Sequence, residues 1–321
     1  MTELRTYHGQ PVLKQPVWSW EVPCYLFAGG MAGASATLAC LSELDGNRTL
    51  ARRAWAVALT GNTLGPVLLT MDLGKPVRAL NMFRMFKVTS PMSVGSWLLA
   101  ATGTTTGVSA ANAWLGLFPR LSRATRPAAG ILGLQLATYT AALLANTAVP
   151  LWHEGRRGLP FVFASGAAVS AGAASVMITP IAEARPARRL ALGAVVFKQA
   201  MRLTEEQDVG ELSQVYKQGP AYALRQISRG CLAAGASLLL ARGGRSPTAA
   251  RIAGGLLLAS ELSSRWSVFR AGFQSAADPK YVVGRQRAAI ERGERRGAAR
   301  GRSLVPGADP SVGSPATVPA G

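Results

Sequence analysis

Apolar residues along this chain come in long blocks rather than in alternation with polar ones. Eight such blocks, at roughly 22–41, 51–71, 93–117, 128–149, 159–181, 188–204, 221–241 and 247–269, are rich in Ala, Leu, Gly and Val. Several are about 20 residues long, which at 1.5 Å per residue crosses a hydrocarbon core of about 30 Å. Within such a single block, only a helix satisfies its own backbone groups there. The pattern predicts an all-α fold, a polytopic integral membrane bundle of about eight transmembrane helices. Lys198, Arg202, Arg225 and Arg229 interrupt the sixth and seventh blocks, so six spans is the smaller alternative. The first block is long, lacks a processing site and follows a polar stretch, so it reads as a first transmembrane helix rather than a cleavable leader.

The polar segments divide the chain into an interfacial N-terminal segment at 1–21, a helical bundle at 22–270, a basic juxtamembrane tail at 271–302 and a Pro/Gly/Ser/Ala-rich, disordered C-terminus at 303–321. An even number of spans puts both ends on one face, here called the terminal face. The opposite face receives loops near 42–53, 118–127, 182–189 and 242–251, each with three arginines. The terminal face receives Trp18, Trp20 and Glu21, the 72–92 connection, the Asn146–Glu154 turn and the Ser275–Tyr281 segment. Excess Lys and Arg mark cytoplasmic loops. That rule assigns the four plain arginine loops to the cytoplasm and the termini to the outer side, against the pull of Lys75, Arg78, Arg84 and Lys87.

Composition narrows the chemistry. Hydrophobic residues make up 49% and charged residues 16%, with a formal net charge of +19. Much of that charge is arginine in short loops and in the tail. A juxtamembrane basic segment drawn to anionic lipid accounts for it better than nucleic-acid binding. His8 and His153 both lie outside the apolar blocks, which argues against a membrane haem held by two helical histidines. Cys24, Cys40 and Cys231 have no CxxC spacing and by themselves ligate neither an iron–sulfur cluster nor a structural zinc. No Walker loop or dinucleotide fingerprint is present. Any redox role then takes its electrons from a diffusible carrier and passes them through another subunit.

Four stretches together carry a family resemblance: PVWSWEVPCYLFAGGMAGASA at 16–36, DLGKPVRALNMFRMFKVTSPMSVGSW at 72–97, LLANTAVPLWHE at 143–154 and RWSVFRAGFQSAADPKYVVGRQR at 265–287. In this combination the chain resembles the NrfD/polysulfide reductase membrane subunits over about residues 7–287. The resemblance implies a multi-pass subunit of the bacterial cell membrane with no haem or cluster of its own. It further implies electron exchange between the quinone pool and a four-cluster, ferredoxin-like iron–sulfur subunit, often joined to a molybdopterin catalytic subunit. The family's quinone site lies near the start of the first helix and in the fourth. Tyr25 aligns where relatives use a His, and Tyr139 aligns with the fourth-helix tyrosine.

A quinone or quinol site needs an apolar slot, polar groups at the ring oxygens and a proton route. A tyrosine hydroxyl donates to a carbonyl while its ring packs on the headgroup, so Tyr25 and Tyr139 are candidates, against a reading as interface-belt residues. Trp18 and Trp20 would wall the headgroup or serve as membrane anchors. Glu21 would pass protons or favour the helix start. Asp72 closes the second span and is a proton-relay candidate, with Lys75 or Arg78 as its expected partner. Glu261 and Arg265 share a face of the last helix and are expected to pair, as a structural or proton-conducting unit. His153 is a candidate for protonation near neutral pH. Lys198 inside a span pairs with Glu261, snorkels, or marks a misplaced helix. Gly29 and Gly33 form a GxxxG for close helix packing or close approach of a cofactor or lipid.

Two other function classes fit parts of the pattern. A secondary transporter or proton channel would also use charged pairs inside glycine-rich helices. A membrane anchor that has lost quinone chemistry would accommodate the tyrosine at 25.

Overall fold

The structure, a computed structural model, describes residues 13, 14, 16–75 and 77–283. The arginine-rich stretch and the C-terminal segment expected beyond 283 lie outside the described residues, as does His8. The described chain folds into α1 (Glu21–Leu44), α2 (Arg48–Asp72), a short α3 (Val77–Asn81), α4 (Pro91–Leu115), α5 (Pro119–Ala145), a short α6 (Pro150–Glu154), α7 (Leu159–Ile178), α8 (Arg185–Val209), a 3-10 segment (Gly210–Lys217), α9 (Gly219–Arg242) and α10 (Pro247–Ala277). No strand occurs among the described residues.

Eight of these helices are long, and each coincides with one of the apolar blocks. Four of them, α1, α2, α5 and α7, are long and apolar enough to cross a membrane by length and composition alone. The others carry polar groups on inward faces: Thr102, Thr106 and Ser109 on α4, Lys198 on α8, Glu261 and Arg265 on α10. Those buried groups lower the hydropathy of these helices, together with exposed charges such as Arg189, Arg229, Arg251 and Arg270.

Boundaries moved where turn chemistry was informative. The expected loop at 118–127 is mostly helix, because Pro119 sits at the first helical position, where its missing N–H costs nothing. Phe118 turns the chain there with a left-handed φ of 54°. Arg126 consequently rides on α5 and pairs with Glu43 of α1 at 2.9 Å. The last helix runs on to Ala277, beyond the expected end of the bundle at 270.

Side chains are distributed as a membrane solvent demands. The interior is filled by Ala, Gly and Ser, while Leu41, Val67, Leu134, Phe161, Val196 and Leu240 face outward with at least about half of their surface exposed. Small residues permit backbone contact. A Cβ at Gly33 would collide with the Gly133 carbonyl of α5, and one at Gly61 would come within 2.6 Å of the Ala28 carbonyl. Gly33 of the GxxxG thus serves helix packing. α1 lies centrally, against α2, α5, α7 and α10.

Contacts between loops define the two ends. At one end Asn47 donates to the Glu183 carbonyl at 2.9 Å, Arg126 meets Glu43, and Arg188 donates to the Gly243 carbonyl. At the other, Ser19 meets Asp72, Trp18 stacks on Trp152 at 5.6 Å, and the Leu151 N–H approaches the Ser275 hydroxyl. These groupings match the two faces obtained by counting spans.

Candidate functional site

The terminal end holds an aromatic core. Trp152, carried into the bundle by α6 behind Pro150, is buried and donates its indole N–H to the Val268 carbonyl at 2.9 Å. Trp18 stacks on one of its sides, and Phe269 and Phe273 of α10 pack against it. Gly272 admits the indole, since a Cβ there would fall on the Trp152 ring. Tyr25 is buried in this same cluster with Leu99, and Tyr139 packs on its edge. The Tyr139 hydroxyl donates to the Pro91 carbonyl at 2.6 Å. Gly95 leaves the room for it, because a Cβ at that position would overlap the phenol. Three expected site residues, Trp18, Tyr25 and Tyr139, therefore meet in one cluster, with Trp18 acting through Trp152.

Beside that cluster, where α1 starts and α2 ends, lies an open cavity of about 550 Å³ lined by Glu21, Pro66, Val67, Thr70, Met71 and Gly74. Its walls are apolar apart from Glu21 and Thr70. The Ser19 hydroxyl contacts a carboxylate oxygen of Glu21 and lies 2.9 Å from Asp72, whose oxygen also receives the Ser19 N–H at 3.4 Å. A hydroxyl has one proton, so it donates to one carboxylate at a time. Among the described residues Asp72 is met by Ser19 and not by the expected Lys75 or Arg78; the extended entry into α1 lays Ser19 directly across the end of α2.

Two other expected residues stand apart. Trp20 is half exposed. His153 is exposed and lines a separate cavity of about 680 Å³ with Asn146, Arg156 and Arg157. Its position at the last turn of the short α6 turns it away from the aromatic core that Trp152 joins. A third cleft of about 470 Å³, bordered by Leu38, Leu41, Leu134 and Leu190, opens near the other end and contains no expected site residue.

The charged residues of α10 are organised differently from the expectation. Glu261 pairs with Lys198 of α8, both fully buried, rather than with Arg265. Arg265 instead donates to the Phe163 carbonyl at 2.8 Å and lies 3.7 Å over the Phe163 ring. Spacing of four puts Glu261 and Arg265 on one helix face, but α8 approaches that face with a cation of its own. Gly166 of α7 makes space for the cluster, since a Cβ there would strike the Glu261 carboxylate. Of the three alternatives for Lys198, pairing with Glu261 is the one realised.

Further charges extend this cluster. Lys198 and Arg202 both reach the Ser264 hydroxyl, at 3.4 and 3.1 Å. Arg225 of α9 pairs with Glu206 and lies 4.4 Å over the Tyr216 ring. Burial pushes the Tyr216 hydroxyl well above its ordinary range, Glu205 adds to the shift and Arg202 opposes it, so the phenol keeps its proton. The sequence marked Arg202 and Arg225 as interruptions of the sixth and seventh blocks, and for Lys198 it also offered Glu261 as a partner. The signal on α8 was spacing: Lys198, Arg202, Glu205 and Glu206 fall on one side of it. Among the described residues no group of three or more His, Cys, Asp or Glu stands ready for a metal ion.

The family model described as polysulphide reductase, NrfD, matches residues 6–203 of the chain. That stretch carries Trp18, Trp152, the Ser19–Glu21–Asp72 group, Tyr25 and Tyr139, while Phe269 and Phe273 of α10 lie beyond it. No curated protein and no solved structure matches the chain.

Proposed function

We propose that this chain, which belongs to the polysulphide reductase NrfD family, is the quinone-reactive membrane subunit of a multi-subunit oxidoreductase. It would exchange electrons between the membrane quinone pool and a ferredoxin-like iron–sulfur partner, itself joined to a molybdopterin catalytic subunit. The observation that carries this reading is a pair of carboxylates, Glu21 and Asp72, sharing one hydroxyl beside an apolar cavity of about 550 Å³. That volume lies within the usual range for a small-molecule site. The cavity opens along the outward-facing end of α2 at Val67 and Met71, beside the start of α1, a place where a ring with an isoprenoid tail would enter from the bilayer.

Interconversion of quinone and quinol moves two electrons and two protons. The carrier supplies the redox chemistry, and the protein contributes orientation and proton access. Within this reading Glu21 and Asp72 hold the protons, with Ser19 bridging them. Tyr139 and Tyr25 pack the wall behind the headgroup, Tyr139 through a hydroxyl already ordered by the Pro91 carbonyl. Trp18 fixes the chain entry through its stack on Trp152, and Trp20 anchors it at the interface. The basic groups of 75–87, with Lys280, would align the iron–sulfur partner by charge complementarity. The excess of arginine in the four opposite loops supports a reading with the termini, and this site, on the outer side of the membrane.

Purified complex assayed for quinol oxidation or quinone reduction tests the proposal. Asp72→Asn and Ser19→Ala are expected to lower turnover, and Tyr139→Phe to weaken quinone binding. Unchanged turnover in both Asp72→Asn and Tyr139→Phe would refute the site. Absence of an iron–sulfur protein from the isolated complex would refute the function.

A further inference from the structure

Charges buried in the second half of the bundle form a connected file, and the file runs in one direction only. It begins at the fully buried Lys198–Glu261 pair. The pair lies near the middle of α8 and α10. From there it passes to Ser264, which both Lys198 and Arg202 reach. Beyond Ser264 lies a cavity of about 20 Å³ lined by Arg202, Glu205, Tyr216, Arg225, Ser264 and Ser267 among others. That volume holds about one water molecule, and the lining offers it several polar partners. The file reaches solvent-exposed atoms at Glu206 and Arg229, whose side chains are 39% and 50% exposed. Lys198 to Glu205 spans about 10 Å along α8, toward the terminal face.

Polar atoms along the file lack protein partners. Glu261 Oε1, Arg265 Nε and Nη1, and Arg202 Nη1 are buried and make no hydrogen bond within the protein. Buried polar groups are nearly always satisfied, and water is the partner small enough to fit here. In the opposite direction the packing is close and mostly apolar, with Ser175 Oγ and Thr179 Oγ1 as isolated buried hydroxyls rather than a connected series of charges. Val169, Ala173, Val176, Ala187, Ala191, Leu239 and Ala253 fill that half. A Cβ at Gly172 would come within 2.7 Å of the Ala187 carbonyl, and one at Gly254 within 2.8 Å of the Ala173 carbonyl.

We propose that this file is a hydrated proton half-channel, open to the terminal face and sealed toward the arginine-loop face, ending at the Lys198–Glu261 pair. Water, the Ser264 hydroxyl, Glu205 and the Tyr216 phenol pass the proton, and Arg202, Arg225 and Arg265 set the field along it. The proton enters and leaves by the same face, so the file by itself conducts nothing across the membrane. This role is independent of the quinone assignment, and its test reads no redox turnover.

The test measures access to single cysteines in the full-length chain in sealed vesicles. Cys24, Cys40 and Cys231 are first replaced by alanine. Ser264→Cys and Ser267→Cys probe the file, Ser175→Cys probes the sealed half, and Lys280→Cys and Arg245→Cys mark the two faces. Silver ion is the thiol probe, because it is small enough to follow water. Its reaction is read as loss of later maleimide labelling after denaturation. Silver applied to the Lys280 face is expected to block both file cysteines, and silver applied to the Arg245 face to block neither. Ser175→Cys is expected to stay unblocked from both faces. The half-channel is overturned if both file cysteines stay unblocked while Lys280→Cys is blocked, or if they react equally from both faces.

Discussion

Removing one partner of the Lys198–Glu261 pair gives the sharpest test of the buried charges. Both side chains are fully buried. Lys198→Met removes the cation, keeps most of the side-chain volume and strands a carboxylate whose Oε1 has no protein partner. Stranding a buried charge costs about 3–5 kcal/mol, whereas replacing both members by neutral groups of similar size is often close to neutral. Lys198→Met and Glu261→Gln are therefore each expected to lower unfolding free energy by about 3–5 kcal/mol, and the double variant by far less than the sum. At about 1.4 kcal/mol per factor of ten, each single change shifts the folding equilibrium by more than a hundredfold. Unfolding by dodecyl sulfate in mixed micelles, followed by helical circular dichroism, measures all four corners of the cycle. Additive losses, or single losses under about 1 kcal/mol, would show that the two charges do not sustain one another and that the geometry of the pair is misjudged.

Other outcomes follow from particular contacts. Gly33→Ala is expected to destabilise by about 1–3 kcal/mol, because its methyl meets the Gly133 carbonyl, while Gly107→Ala in open space should be neutral or gain up to about 1 kcal/mol; the same micelle titration separates them. Asn47→Ala loses both the α2 cap and the tie to Glu183, a cost of about 1–2 kcal/mol, read as a lower melting temperature. Gly95→Ala should reduce quinone turnover more than Tyr139→Phe, since a methyl displaces the whole ring and the phenylalanine removes one hydroxyl; equal effects would mean that only the hydroxyl matters.

The helical class and the position of every long helix were legible because burial in lipid demands continuous apolar segments, a one-dimensional property. The family resemblance was legible for the same reason: its stretches are local strings, and three of the four, at 16–36, 72–97 and 143–154, lie within the matched residues 6–203. Two-faced sorting of the loops followed from counting alone, and Ser19–Asp72 at one end and Asn47–Glu183 at the other agree with it. Partner choice was not legible. Helical spacing brought Glu261 and Arg265 together on one face, yet it carries no information about which neighbouring helix supplies the nearest opposite charge. Lys198 does, across 63 positions of chain, because α7 presents Gly166 there and lets the carboxylate in. Likewise Asp72 was assigned to cations a few residues away, while the chain entry at Ser19 lies over it.

Sequence by itself thus determined the solvent in which this protein lives, the helices that solvent requires and the face on which its distinctive residues collect. Tertiary structure alone decided that His153 lines a cavity apart from Tyr25 and Tyr139, and that the cations of two weak spans lie along one series of buried polar contacts. The physical reason is that hydropathy acts residue by residue, whereas a buried charge is defined by whatever side chain stands opposite it, and helix packing chooses that.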